Sequence, residues 1–244
     1  MRPDARGETK NGTVPGRYRF WLSMFKGVIF DVDGTLVDSV DLHAAAWQNA
    51  LRHLGHPLPY KKVRQQIGKG ADQLLPALLP AAVVARRGKE IERFRGALFK
   101  RDYLPMVRGF SGVRALVQRL LVEGARIALA SSARHDELAA YKRSAEIDDL
   151  VEAEAARDDA AHSKPDPDIF VAALERLKLA ARDAIVVGDT PYDAEAARKA
   201  GMAAIGVLCG GFPESELRAA GCVEVFHGPA DLLHCLDESL IMRR

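Results

Sequence analysis

The chain has 244 residues, enough for one domain carrying an insertion or for two small domains. Its 35 basic and 33 acidic residues leave a net charge of +2, a balance that gives no basis for nucleic acid or a membrane surface as partner. The three cysteines form no Cys-x-x-Cys pair and no apolar run nears the ~20 residues of a spanning helix, so a reducing, cytoplasmic setting with buried thiols is expected.

Residues 1–23 are rich in Arg, Gly and Pro and show no apolar segment with a small-residue cleavage site. They are expected to be a disordered leader, not a secretory signal. Val28-Ile29-Phe30 then reads as a short buried strand that runs straight into Asp31-Val32-Asp33-Gly34. The two acids share a face if the strand stays extended, and Gly34 permits a sharp turn and close approach to a ligand. Asp38-Ser39-Val40-Asp41 supplies capping residues for a helix carrying Leu42, Ala45, Ala46, Ala50, Leu51 and Leu54, ended by Gly55. Lys61–Ile67, Ala71–Leu79 and Ala82–Tyr103 also read as helices, broken by Gly68, Gly70, Pro80 and Gly88. No strand signal occurs between Val40 and Val107, so residues 40–107 form a helical insertion, with 24–39 and 108–244 as the core around it.

From Gly109 onward, strands alternate with helices. Helices are expected at Val113–Glu123, Asp136–Ala145, Pro167–Leu177, Asp193–Ala200 and Asp231–Leu240. Strands are expected at Arg126–Ala130, Leu150–Ala153, Ala184–Val187, Met202–Val207 and Val223–Val225. This alternation implies an α/β fold, a Rossmann-like doubly wound parallel sheet with helices on both faces.

Ligands of such sheets bind at the carboxyl ends of the strands, and there the reactive residues collect. The first apolar run ends in Asp31 and Asp33 and the second in Ser131. The fourth ends in Gly188-Asp189, with Asp193 one turn on, and Lys164 follows the third run in Ser163-Lys164-Pro165-Asp166-Pro167. The set suits phosphoryl transfer, which needs positioning and charge neutralisation above all. Three carboxylates a few Å apart repel by about 4 kcal/mol per pair at an effective dielectric near 20, and a hard divalent cation, magnesium, relieves this. Lys164 supplies a point charge for the phosphate and the nucleophile. Ser131 and neighbouring N–H groups can hold phosphate oxygens. One aspartate can attack phosphorus and the other can move the proton of the leaving oxygen.

These residues resemble the four motifs of the haloacid dehalogenase superfamily, in order and spacing, from Phe25 to about Leu240. Asp31-Val32-Asp33-Gly34-Thr35 is similar to the nucleophile motif, Ser131 to the hydroxyl motif, Lys164 to the lysine motif and Gly188-Asp189-Thr190-Pro191-Tyr192-Asp193 to the acidic motif. The insertion at 40–107 resembles the helical cap of the phosphoglycolate phosphatase and β-phosphoglucomutase branch. The resemblance implies Asp31 as nucleophile and Asp33 as acid/base. It implies Asp31, the Asp33 carbonyl and Asp189 as ligands of Mg2+, with Asp193 behind them or joined through water. Dehalogenases and phosphonoacetaldehyde hydrolases lack the second acid of the first motif, so Asp33 implies an oxygen leaving group. The mutase branch tends to carry Glu-Asp in the fourth motif where this chain has Gly188-Asp189, which ranks a phosphatase first and a sugar-phosphate mutase second. A phospho-accepting signalling module ranks third, because receiver domains lack a helical insertion after the first strand.

Substrate contacts are expected from Thr35, Ser132, Arg134 and Lys69, the last in the Gly-flanked loop Ile67-Gly68-Lys69-Gly70 that the resemblance places over the site. His43 either meets substrate and shuttles a proton or is a plain helix-face histidine. Arg86-Arg87-Gly88-Lys89 is expected to be a solvated face and the helix from Val83 to Phe99 to serve packing. The expected partner is a small phosphorylated metabolite, and the expected assembly a monomer or weak homodimer.

Overall fold

The computed structural model describes residues 24–243; the expected leader, 1–23, lies outside them. Strand β1 (Gly27–Phe30) is buried on both faces, as a central strand covered by helices must be. The chain then turns at Gly34, whose φ of 86° lies in the left-handed region. Next come a two-residue strand β2 (Val37–Asp38) and the helical insert α1 (Val40–His53), α2 (Tyr60–Arg64), α3 (Ala71–Leu78) and α4 (Ala81–Leu98). A π-helical turn, Phe99–Tyr103, prolongs α4, and β3 (Arg108–Gly109) pairs antiparallel with β2. This two-residue ribbon clamps together the two points where the insert leaves and rejoins the core.

The rest alternates: α5 (Val113–Val122), β4 (Arg126–Ala130), α6 (His135–Ser144), β5 (Ala153–Ala155), α7 (Asp168–Leu177), β6 (Ala184–Gly188), α8 (Pro191–Lys199), β7 (Ala203–Val207), α9 (Glu214–Ala220), β8 (Cys222–Phe226) and α10 (Pro229–His234). The six long strands form one parallel sheet ordered β5-β4-β1-β6-β7-β8. Side chains of a strand alternate between faces, and the core divides accordingly. Val28, Phe30, Ile127, Leu129, Ile185 and Val187 pack on one side with Leu116, Leu138 and Leu232. Ile29, Ala128, Ala130 and Val186 pack on the other with Phe170, Leu174 and Ala197. The insert has its own apolar cluster around Trp47, Leu51, Val63, Leu74, Leu75 and Ile91.

Several elements differ from the sequence reading. Gly88 does not break a helix: it is buried inside α4, where Leu75 and Val84 close over it. The strand expected at Leu150–Ala153 lies at Ala153–Ala155, because Leu150 and Val151 spend their apolar side chains on the core from the preceding loop. The Lys61–Ile67 helix ends at Arg64, and the final helix ends at His234, followed by a 3-10 turn over Leu236–Glu238. Helix α9 and the β2–β3 ribbon carry no signal long enough to read in advance.

Candidate active site

Strand β1 has β4 on one side and β6 on the other, with Phe30 in register with Leu129 and Val187. Opposite crossovers leave a crevice at the carboxyl end of β1. Asp31 is the first residue past that end, tied down by its N–H to the Val187 carbonyl at 2.9 Å. Lys164 arrives from the β5–α7 loop and is 1% exposed. Its Nζ donates to Asp31 Oδ1 at 2.5 Å and to the Ala130 carbonyl at 3.1 Å, and lies 2.8 Å from Asp193 Oδ1. Asp193 is aimed by a capping box at the start of α8: its Oδ2 accepts from the Thr190 N–H at 3.0 Å, while its own N–H donates to Thr190 Oγ1. The other oxygen is thereby turned to Lys164. Thr35, expected at the substrate, is instead fully buried between two acids, its hydroxyl 3.2 Å from Asp31 Oδ2 and 3.1 Å from Asp189 Oδ1.

One carboxylate oxygen from each of Asp31, Asp189 and Asp193 lies within 4.8 Å of the others. Burial, with Asp193 and Asp33 nearby, raises the Asp31 carboxyl to about 7 even against Lys164. Burial, with Asp31 and Asp193 nearby, raises Asp189 well above the usual carboxylate range. Lys164 stays charged despite its burial because Asp193 and Asp31 hold its proton. Asp189 Oδ2 is buried and, among the described residues, has no hydrogen-bond donor. A Cβ on Gly210 would stand 1.7 Å from that oxygen and one on Gly34 2.4 Å from it, so two glycines keep the space beside it open. A buried carboxylate oxygen without a donor, facing glycine and flanked by two further carboxylates, fits a hard divalent cation.

The carboxylate of Asp33, two residues on, belongs to a different environment and lies outside that cluster, so any part it takes in metal binding falls to its main-chain carbonyl. Ser39 Oγ donates to its Oδ1 at 2.6 Å, and Ser131 Oγ to its Oδ2 at 3.3 Å. His43 Nε2 is 2.7 Å from Oδ1, and the Tyr141 hydroxyl is 3.0 Å from the same nitrogen. Burial alone would raise the Asp33 carboxyl, but His43 and Ser39 hold it down at about 2. This also explains a departure from the sequence reading: Ser39 stands at the N-cap of α1 without capping it, its hydroxyl being committed to Asp33.

Asp31 and Asp33 form part of the wall of a cavity of about 770 Å3 between core and insert. Of the expected substrate contacts, His43, Lys69, Ser132 and Arg134 line it, whereas Thr35 does not. Ser131 holds its hydroxyl between Asp33 and the Ala133 N–H. Helix α4 is not packing alone, and Lys89 is not on a merely solvated face: Lys89, Arg93 and Arg95, with Lys100 of the π-helical turn, line the same cavity as Asp31 and Asp33. The helical spacing of these cations was visible, but nothing local says which face of α4 meets the core. Tyr141 was likewise missed, since a single tyrosine on α6 carries no motif. The insert is seated by polar contacts around the loops at the carboxyl ends of the strands. Asp72 accepts from the Ser163 hydroxyl at 2.6 Å and its N–H at 3.1 Å, Arg64 donates to the Gly210 carbonyl at 2.7 Å, and Tyr192 donates to the Gln65 carbonyl at 2.9 Å.

Residues 28–207 match the haloacid dehalogenase-like hydrolase family. A protein of Dickeya dadantii named Probable phosphatase IndB is 34% identical over 79% of this chain and 85% of its own length. The phosphoglycolate phosphatase of Nitrosospira multiformis is 31% identical over 72% and 80% respectively. Among solved structures, a hydrolase from Pseudomonas syringae superposes with a TM-score of 0.82 at 30% identity, covering 87% of this chain and 98% of that one.

Proposed function

From the haloacid dehalogenase-like hydrolase family, to which this chain belongs, we propose the following activity: a magnesium-dependent phosphatase that hydrolyses a small phosphomonoester through a phosphorylated Asp31. The observation that carries this reading is the division between two acids two residues apart. Asp31 sits against a buried lysine and two further carboxylates, while Asp33 sits among hydroxyl and imidazole groups and opens on the cavity.

In this reading an Asp31 oxygen attacks phosphorus and the ester bond to the leaving oxygen breaks. The leaving oxygen takes a proton from Asp33. Water then attacks the phosphorus of phospho-Asp31, passes a proton to Asp33, and releases phosphate with Asp31 restored. Asp33 must therefore begin protonated, although its donors favour the anion at rest; a phosphate dianion placed beside it raises its affinity for a proton. Lys164 keeps Asp31 oriented and offsets charge on the phosphate. Asp31 and Asp189 would hold the magnesium, with the Asp33 main-chain carbonyl completing the set and Asp193 behind, and the ion supplies neutralisation of phosphate charge. Residues 40–107 act as a cap that excludes bulk water from the phosphoenzyme.

Asp31→Asn abolishes magnesium-supported turnover of p-nitrophenyl phosphate in this reading, and a variant with the wild-type rate would refute it. A screen of phosphorylated metabolites, with phosphoglycolate first because relatives carry that name, identifies the leaving group. β-Glucose 1-phosphate belongs in the screen, since isomerisation instead of phosphate release would make the protein a mutase. A long-lived phospho-aspartate without phosphate release would make it a signalling module.

A further inference from the structure

Asp33 is held by His43, and His43 is in turn held by the insert. Its ring stacks on Phe99 with centroids 4.0 Å apart and planes 9° apart. Arg95 of α4 enters the same stack, its guanidinium carbon 4.8 Å from the Phe99 ring and 5.2 Å from the Trp47 ring. From there its Nη2 meets His43 Nδ1. A guanidinium carries donors only and keeps its charge. The nitrogen that faces it must therefore present a lone pair. In a neutral imidazole the single proton then resides on the other nitrogen. That nitrogen is Nε2, 2.7 Å from Asp33 Oδ1.

We propose that Arg95 is a positioning residue that fixes His43 in its Nε2–H tautomer, so that His43 donates to Asp33 and holds that carboxylate at the cavity. The role in turnover rests on the phosphatase reading; the tautomer does not. The opposite tautomer would disrupt the site. An Nε2 lone pair would face the anionic oxygen of Asp33, 2.7 Å away, and would draw the Tyr141 hydroxyl, 3.0 Å away, to itself. Asp33 would lose its imidazole donor through one proton shift. Arg95 and His43 both belong to the insert, whereas Asp33 and Tyr141 belong to the core. The tautomer is thus set on one side of the join and read on the other, and a displaced insert would release the acid.

The competing role for Arg95 is direct contact with substrate, since it also lines the cavity. Protein labelled with 15N-histidine, without substrate and at mildly alkaline pH, separates the two by long-range 1H–15N correlation. The signals of His43 are assigned by their loss in His43→Gln. The wild type shows a protonated Nε2 and a bare Nδ1. Arg95→Met moves the proton to Nδ1, and Arg95→Lys, which still donates, keeps it on Nε2. With p-nitrophenyl phosphate, Arg95→Met lowers kcat about tenfold, the size of one charge-assisted hydrogen bond, with KM changed by less than about twofold. On the His43→Gln background, whatever its own rate, Arg95→Met adds no further loss. Retention of Nε2–H in Arg95→Met overturns the proposal, as does a change confined to KM or a loss that persists in the double variant. Arg95→Leu, which also lacks a donor, carries the same readings if Arg95→Met melts below assay temperature. If the wild type hydrolyses no phosphomonoester, the spectra still decide the tautomer, so the two readings fail separately.

Discussion

Lys164 is the one fully buried cation within bonding distance of both Asp31 and Asp193 among the described residues, and Lys164→Met removes its charge while nearly conserving its volume. Taking away one partner of a buried ion pair costs about 3–5 kcal/mol, since the other charge is left without compensation. At about 2–4 °C per kcal/mol for a protein of this size, that is a fall in Tm of roughly 6–20 °C near neutral pH. The sign of the pH dependence follows from the shifts. The folded-state pKa of Lys164 is raised above 10.5, so Lys164 itself stays charged at every pH below that value, and what varies is the charge of the acids it faces. In the variant, Asp31 and Asp189, already raised, rise further. A group with a raised folded pKa binds more protons folded than unfolded, so the variant loses stability as pH climbs from about 4 towards the new folded values. The gap to wild type therefore narrows in acid, where both carboxylates are neutral and need no lysine. Thermal melts in chelator across a pH series measure this. A Tm near wild type at neutral pH, or a gap that stays constant into acid, would show that Lys164 is not what compensates these acids.

Two other outcomes follow from the same cluster. Gly210→Ala places a methyl group where Asp189 Oδ2 now stands 1.7 Å from the built position, so the carboxylate must turn away; the magnesium concentration for half-maximal p-nitrophenyl phosphate turnover rises about tenfold or more, and an unchanged magnesium titration would show that Asp189 does not face the ion. In wild-type protein without divalent cation, Asp31, raised to about 7, makes stability fall as pH rises from about 4 to 7. Saturating magnesium flattens that slope, which melts with and without chelator detect; equal slopes would argue against a cation at these acids.

How much of this was legible in the sequence depends on what each residue answers to. Asp31, Ser131 and Asp189 follow apolar runs that can only be central strands, and strand order forces such ends into one crevice. Lys164 and Asp193 were legible through motif and spacing. Ser39 was read as a cap because its local pattern is that of a cap; only the turn at Gly34, which brings Asp33 back beside it, gives its hydroxyl a stronger claimant. Thr35 was placed at the substrate by its motif, yet its side chain points under the strand end, between two acids. Arg95 and Tyr141 lie in helices whose amphipathic pattern says that a face is buried but not against what. Their meeting at His43 is a property of how the insert docks on the core, and docking is written in no single stretch of chain.

The same logic explains why one strand end can serve two chemistries. Asp31 and Asp33 are separated by one valine and have the same intrinsic acidity, yet their carboxyls stand at about 7 and about 2. Both are removed from water, which raises each. The difference comes from what the neighbouring segments offer. Beside Asp31 are Asp193 and Asp33, which oppose its charge, and a lysine shared with Asp193. Beside Asp33 are His43, Ser39 and Arg95, which favour its charge. An acid that is half neutral near pH 7 attacks phosphorus poorly, because only the carboxylate has the nucleophilic lone pair to give. The Asp31 site as built from this chain alone is therefore under-compensated: three acids face one lysine. One more positive charge at the open oxygen of Asp189 would lower Asp31 and Asp189 and bring Asp31 to the carboxylate form. The proposed requirement for a cation thus rests on the imbalance of the chain's own charges, and the magnesium-dependent slope in stability tests that imbalance without recourse to turnover.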